Sequence, residues 1–261
     1  MRRGVSVGGT VRDMIGLPET VTACLFDLDG VLTGTAALHR EAWKQTFDQF
    51  LREYRGADYG ADLSPFTDQD YARYVDGRPR ADGVREFLSS RGITLPEGES
   101  GDPVGEPTVN GVGNRKNELV LRIIAERGVN PYPGSVRFLE EAEKAGLAIA
   151  VVTSSANGAA VLEAAGLSHF VRARIDGIVI KRDNLRGKPA PDSFLAGAKA
   201  LGVAPENAAV FEDALAGVQA GKAGGFGCVV GVNRAGQAHE LRAQGADVVV
   251  DDLAELLGDN A

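Results

Sequence analysis

The sequence predicts an α/β protein, a doubly wound, Rossmann-like parallel sheet with an α-helical cap inserted after its first strand. Three observations predict it. From Pro131 onward, apolar runs of strand length alternate with helical patterns, the signature of βαβ units. A further buried-strand pattern, residues 21–26, stands alone far upstream. Between them, residues 34 to about 128 show helical periodicity without that alternation. The expected layout is an N-terminal extension at 1–20, a core made of 21–33 and 129–261, and a cap at 34–128.

Residues 1–20 are glycine-rich and weakly patterned, an extension expected to be partly disordered. The run ending in "CLF" is continuously apolar, as suits a parallel strand buried on both faces. It runs into Asp27 and Asp29, and Gly30 then permits a sharp turn. If the chain stays extended through Asp29, both carboxylates point the same way. "LHREAWKQTFDQFLREY" places Leu38, Trp43, Phe47 and Leu51 at helical spacing, and "DGVREFLSSRG" gives a second helical signal. "LPEGESGDPVGEPTVNGVGN" reads as a long loop, followed by a helix from about Arg115 to Glu126.

In the second half, "GSVRFLEEAEKAG" is helical and stops at Gly146, and "LAIAVVTSS" is a buried strand. "GAAVLEAAGL" is a helix and "RARIDGIVI" is strand-like. "APDSFLAGAKALGV" is a helix opened by prolines. "AAVFED" is a strand, "ALAGVQAGKAGG" a helix, and "GCVVGV" and "ADVVV" are strands.

Bulk composition narrows the function. The chain has 261 residues, is 44% hydrophobic and carries a net charge of −8. Such a charge argues against nucleic-acid binding, which needs clustered positive charge. No apolar stretch approaches the roughly 20 residues of a membrane span, and no apolar segment follows Arg2 and Arg3 to make a signal peptide. Cys24 and Cys228 lie in apolar runs and are expected as buried reduced thiols. A cytoplasmic protein is expected.

Ligands of doubly wound sheets lie outside the carboxyl ends of the strands, and the reactive residues gather there. The first strand ends in Asp27 and Asp29, and "VVTSS" supplies Thr153, Ser154 and Ser155. "GKPAP" holds Lys188 ahead of a helix, and "FEDALAG" ends in Glu212 and Asp213. Alone, each has a bland reading as a helix cap, a surface charge or a solvated acid. Their order and joint placement reverse that reading. Carboxylates around one point suit Mg²⁺, a hard cation that binds oxygen and substrate phosphate together. One aspartate can attack phosphorus and form an aspartyl phosphate, while a second carboxylate moves protons. A lysine and a hydroxyl can hold the transferring group.

These four ordered motifs, "DLDGVL", "VVTSS", "GKPAPDSF" and "FEDALAG", resemble those of the haloacid dehalogenase superfamily. The stretches "TAALHREAWK", "NRKNE", "YPG" and "SSANG" resemble, more closely, the beta-phosphoglucomutase family. The likeness covers roughly residues 21–255. It implies Asp27 as nucleophile and metal ligand, and Asp29 as acid/base with its main-chain carbonyl on the metal. Asp213 completes the protein ligands with Glu212 beside it. Thr153, Lys188 and the backbone around Ser154 would hold the transferring phosphate, and His39 would position the general acid. Arg80 and Lys116 would meet the sugar phosphate from the cap, and Ser155 and Asn157 would lie near the second phosphate. The implied partner is a small phosphorylated sugar, and a monomer is expected.

The sequence departs from the family pattern at three places. Gly34 replaces an aspartate where the chain enters the cap, which is expected to loosen the hinge. Ala156 replaces a lysine near the distal phosphate, with Arg78 a possible substitute. The 94–114 loop has no counterpart and is expected to be a solvated excursion, although it could shape specificity. The leading expectation is an isomerase moving phosphate between the 1- and 6-positions of beta-glucose. The alternative is a phosphatase acting on a small phosphorylated metabolite. A non-catalytic binding module is disfavoured by the intact motifs.

Overall fold

The computed structural model of the protein describes residues 15–54 and 60–258. Residues 1–14 of the expected N-terminal extension lie outside the described residues. The strands are β1 Ala23–Phe26, β2 Ala148–Val152, β3 Ala173–Ile175, β4 Ala208–Glu212, β5 Cys228–Val232 and β6 Val248–Val250. They form a parallel six-stranded sheet in the order β3-β2-β1-β4-β5-β6. The order reverses between β1 and β4. In such a sheet the crevice for a ligand opens at that point, beyond the carboxyl ends.

Alternation along β1 builds two cores. Cys24 and Phe26 join one hydrophobic layer, and Ala23 and Leu25 join the other. Strand β4 does the same with Ala209 and Phe211 on one face and Ala208 and Val210 on the other. Phe26 stacks on Phe211 with centroids 4.4 Å apart, and Phe138 meets Phe211 edge-on at 5.2 Å. Ten helices accompany the sheet among the described residues. Those of the second half are α5 Pro133–Lys144, α6 Gly158–Ala164, α7 Gly177–Arg182, α8 Asp192–Leu201, α9 Leu215–Ala223 and α10 Ala238–Ala243. Cys24 and Cys228 are buried and unpaired with each other, as expected. Ile15 is buried in the same layer as Phe26, and its neighbour Gly16 donates to the Leu256 carbonyl at 2.7 Å.

The inserted cap comprises α1 Thr35–Glu53, α2 Asp68–Asp70 running into a π-helical turn at Tyr71–Val75, α3 Arg80–Ser90 and α4 Val109–Arg127. Its own core is aromatic: Trp43 stacks on Phe47 at 4.9 Å, and Phe47 meets Phe87 at 4.3 Å. The chain enters and leaves the cap as a pair. Gly34 donates to the Asn130 carbonyl at 3.1 Å, and Tyr132 to the Leu32 carbonyl at 3.0 Å. Gly34 has φ −73°, and a Cβ there would meet nothing nearer than 3.8 Å. The local geometry does not demand glycine at this position.

Several elements differ from the sequence reading. "RARIDGIVI" is half strand and half helix, because Asp176 caps α7 by accepting from Ile178 and Val179 N–H, each at 3.1 Å. Helix α4 begins six residues earlier than expected, at Val109 against Arg115. Thr108 starts it by accepting from the Gly111 N–H at 2.9 Å, so the glycines of "VNGVGN" are helical. The helical turns at 68–75 and helix α10 were not anticipated. Both are short, and short helices draw their stability from packing rather than propensity.

Candidate active site

Strand β1 stops at Phe26, and the chain bends at Leu28. Asp27 and Asp29 therefore line one cavity but serve different partners, rather than pointing together along an extended strand. Asp27 follows Phe26, whose neighbour across the switch point is Phe211, and Glu212 and Asp213 follow Phe211. The register alone thus places Asp27 beside Glu212. Oxygen atoms of Asp27, Glu212 and Asp213 lie within 4.8 Å of one another.

Lys188 comes from the loop ahead of α8 and is buried beneath this group. Its Nζ donates to Asp27 Oδ1 at 2.6 Å, to Glu212 Oε1 at 2.6 Å and to the Val152 carbonyl at 3.1 Å. The second oxygen of Glu212 accepts from the Ala214 N–H at 2.9 Å. Burial works against the lysine's charge, but Asp27 and Glu212 more than offset it and push Lys188 up. Burial pushes the Asp27 carboxyl well above its ordinary range; Lys188 opposes this, while Glu212 and Asp29 add to it. Asp213 is also pushed well up, by burial first and then by Asp76 and Glu212. One ammonium thus bonds two of three clustered, buried carboxylates. The set is all-oxygen, convergent and short of positive charge, which fits a divalent cation. Gly30 makes room for the Asp213 carboxylate: with φ +96°, a Cβ there would lie 1.9 Å from Asp213 Oδ2. Gln237 Nε2 holds the Asp213 carbonyl at 2.9 Å.

Asp29 belongs to a second cluster. Its Oδ1 accepts from Thr35 Oγ1, and its Oδ2 from Thr153 Oγ1 at 3.4 Å. His39 Nε2 lies 3.5 Å from Asp29 Oδ1. On the far side of the ring, Lys116 Nζ lies 2.8 Å from His39 Nδ1. Burial, helped by Lys116, lowers His39 to about 4. The neutral ring therefore accepts from Lys116 at Nδ1 and turns its Nε2–H toward Asp29. Burial lowers Lys116 itself to about 7, with Arg80 contributing and Asp29 opposing. Its ammonium also faces the Trp43 ring at 5.2 Å.

The cap is seated on the core. Ser154 Oγ donates to the Gly77 carbonyl at 2.8 Å, and Asn157 Nδ2 donates to Asn117 Oδ1 at 3.1 Å. A Cβ on Gly77, where φ is +72°, would lie 3.0 Å from the Ala214 Cβ. Between cap and core lies a cavity of about 430 Å³. Asp27, Asp29, His39, Arg80, Lys116, Thr153, Ser154, Ser155, Asn157 and Asp213 all line it, while Lys188 and Glu212 are buried behind Asp27. The 94–114 segment is not simply a solvated excursion: Glu97, Ser100 and Asn110 lie on the cavity wall. Glu97 is anchored there by Arg85, at 2.9 and 2.8 Å.

Sequence reasoning passed over Asp76. This cap carboxyl lines the cavity, accepts from Tyr71 and is raised to about 6, by burial first and Glu212 next. Its only sequence signal is its place in "DGRPR", two residues before Arg78 and four before Arg80.

Comparison with known proteins agrees with this geometry. Residues 21–225 match the family model of the haloacid dehalogenase-like hydrolases. The chain belongs to that family. It is 55% identical over 248 residues to the beta-phosphoglucomutase of Mycobacterium tuberculosis, covering 94% of each chain. That likeness places it in the beta-phosphoglucomutase branch. The crystal structure of beta-phosphoglucomutase from Clostridium difficile superposes with a TM-score of 0.71 at 25% identity, over 90% of this chain and 93% of that one. The crystal structure of CbbY from Rhodobacter sphaeroides in complex with phosphate gives 0.69 at 27%, over 92% and 98%. The haloacid dehalogenase-like enzyme is therefore one of phosphoryl transfer through an aspartyl phosphate. No helix among the described residues of this family member is long and apolar enough to cross a membrane.

Proposed function

We propose that this enzyme is a beta-phosphoglucomutase that converts beta-glucose 1-phosphate to glucose 6-phosphate through the 1,6-bisphosphate. One observation carries the reading beyond phosphoryl transfer in general. The cap groups Arg80, Lys116 and His39 line the same cavity as Asp27 and Asp29. A mutase needs this, because water must be kept from the aspartyl phosphate while the sugar turns over.

The contacts support the following roles. Asp27 Oδ attacks the phosphorus of the bisphosphate, and the bond from phosphorus to the sugar oxygen breaks. Asp29 gives its proton to the departing oxygen. In the return step a different sugar hydroxyl loses its proton to Asp29 and takes the phosphoryl group from Asp27. Thr35 and His39 orient the Asp29 carboxylate. Lys188 and Thr153 hold the transferring group. Asp27, Asp213 and the Asp29 carbonyl would bind Mg²⁺, with Glu212 holding Lys188 beside them. When bound, Mg²⁺ neutralises charge on the phosphoryl oxygens.

A second reading, a phosphatase of small phosphorylated metabolites, is favoured by Ala156, which removes a cation from the outer end of the site. Incubating the enzyme with beta-glucose 1-phosphate and a trace of the 1,6-bisphosphate separates the two. Accumulation of glucose 6-phosphate supports the mutase, and release of inorganic phosphate without isomerisation overturns it in favour of the phosphatase.

A further inference from the structure

The cavity is lined on the cap side by Arg78 and Arg80 and on the core side by Ala156, Lys181 and Asn184. Helix α7, which carries Lys181, is fixed to the turn that carries Ala156. Gly177 N–H donates to the Ser155 carbonyl at 2.9 Å, and a Cβ on Gly177 would lie 2.8 Å from the Ser154 carbonyl oxygen and 2.9 Å from the Ala156 nitrogen. Arg174 locks the Asp176 cap from behind at 2.8 Å. The start of helix α7 is thereby fixed against the turn that carries Ala156, and Lys181, one turn further on, lines the same cavity as Ala156.

Charge pairing around this rim is uneven. Arg182 pairs with Asp183 and Arg186 with Asp192, both at the same end of the core. Across the cavity Arg85 pairs with Asp82 and Glu97. Among the described residues, Arg78, Arg80 and Lys181 have no carboxylate partner. Arg78, Arg80 and Lys181 share one cavity, and a dianion between them would balance their charge.

We propose that Lys181 is a specificity-determining residue, whose ammonium binds the non-transferring phosphate of the sugar bisphosphate opposite Arg80 and supplies the charge that Ala156 lacks. This rests on the mutase reading for the identity of the ligand. It makes the outer subsite a pair of cations from two different bodies, one on the cap and one on the core. A bound phosphate then bridges them and favours the closed cap.

The test uses the full chain carrying Asp27→Asn, which cannot accept a phosphoryl group and leaves the ligand intact. Titration calorimetry measures its dissociation constant for beta-glucose 1,6-bisphosphate. Adding Lys181→Ala should weaken binding about tenfold, the scale of one partly solvated charge pair. Adding Arg182→Ala instead, on the same helix but paired with Asp183, should change it less than about twofold on the same scale. Ala156→Lys placed in the Lys181→Ala protein should recover most of the loss. Binding within twofold of the parent after Lys181→Ala, an equal loss from Arg182→Ala, or no bisphosphate binding by the parent would each overturn the proposal. The mutase reading fails separately: wild-type enzyme that forms no glucose 6-phosphate refutes that reading, while a Lys181-dependent bisphosphate affinity still stands.

Discussion

Lys188 Nζ donates to Asp27 Oδ1 at 2.6 Å, joining residues 161 apart in the chain. Both side chains are nearly or fully withdrawn from water. Removing one partner of such a pair leaves an uncompensated buried charge, which typically costs about 3–5 kcal/mol. Lys188→Ala should lower stability by about that amount in denaturant unfolding and abolish turnover. The double variant Lys188→Ala/Glu212→Gln should recover part of the stability, because it also removes a stranded carboxylate.

Asp27→Asn should behave in the opposite sense. The change keeps the shape, removes the nucleophile and relieves crowding among carboxylates that burial already disfavours. Turnover should vanish while the melting temperature stays level or rises. Purified variant that retains more than trace activity would contradict the nucleophile assignment.

Asp29→Asn should split the reaction. Phosphorylation of Asp27 by a reactive donor such as acetyl phosphate needs little proton transfer and should persist. Transfer to a sugar hydroxyl should fall by about 10² to 10⁴, the usual value of general acid–base help. Comparing the two rates in one preparation checks this, and equal losses would assign Asp29 a structural role.

Gly30→Ala tests the cation site without removing any ligand. Its Cβ would displace Asp213, and the backbone at φ +96° strains any side chain. In wild type, Mg²⁺ at 100 times its dissociation constant should stabilise the fold by about 2.7 kcal/mol. The Gly30→Ala protein should lose most of that gain in a melting experiment, and chelator should then change its melting temperature little.

Lys116 gives a pH signature. Its folded value of about 7 lies below the ordinary lysine value of 10.5 because burial disfavours the charge. The unfolded chain therefore binds more protons between pH 7 and 10.5, and stability rises with pH across that window. Below pH 7 the penalty is present in full. Lys116→Met should be more stable than wild type by on the order of 1–3 kcal/mol near pH 6. That gap should close as the pH approaches 10.5. A gap independent of pH would point to packing rather than charge.

The sequence by itself determined the sheet, the inserted helices and the chemical identity of the site. Long-period patterns did this work: a strand buried on both faces is apolar throughout, as in β1 and β4, and its end is marked by the first charged residue. Asp27, Glu212 and Asp213 were legible for that reason. Local patterns failed where tertiary contacts or caps outweigh periodicity. Asp176 turns an apolar run into α7, and Thr108 carries helix α4 through glycines that read as loop.

Only the tertiary structure decided which residues meet. The strand order brings β4 next to β1 and so sets Glu212 beside Asp27, although 185 positions separate them in the sequence. Packing of α1 against α4 within the cap brings Lys116 to His39, and the seating of the cap brings Asp76 toward the acidic cluster and Lys181 into one cavity with Arg80. The physical reason is that a pattern along the chain fixes which face of an element is buried. What that face packs against, and how strongly the resulting burial shifts a charge, is set by elements far away in sequence.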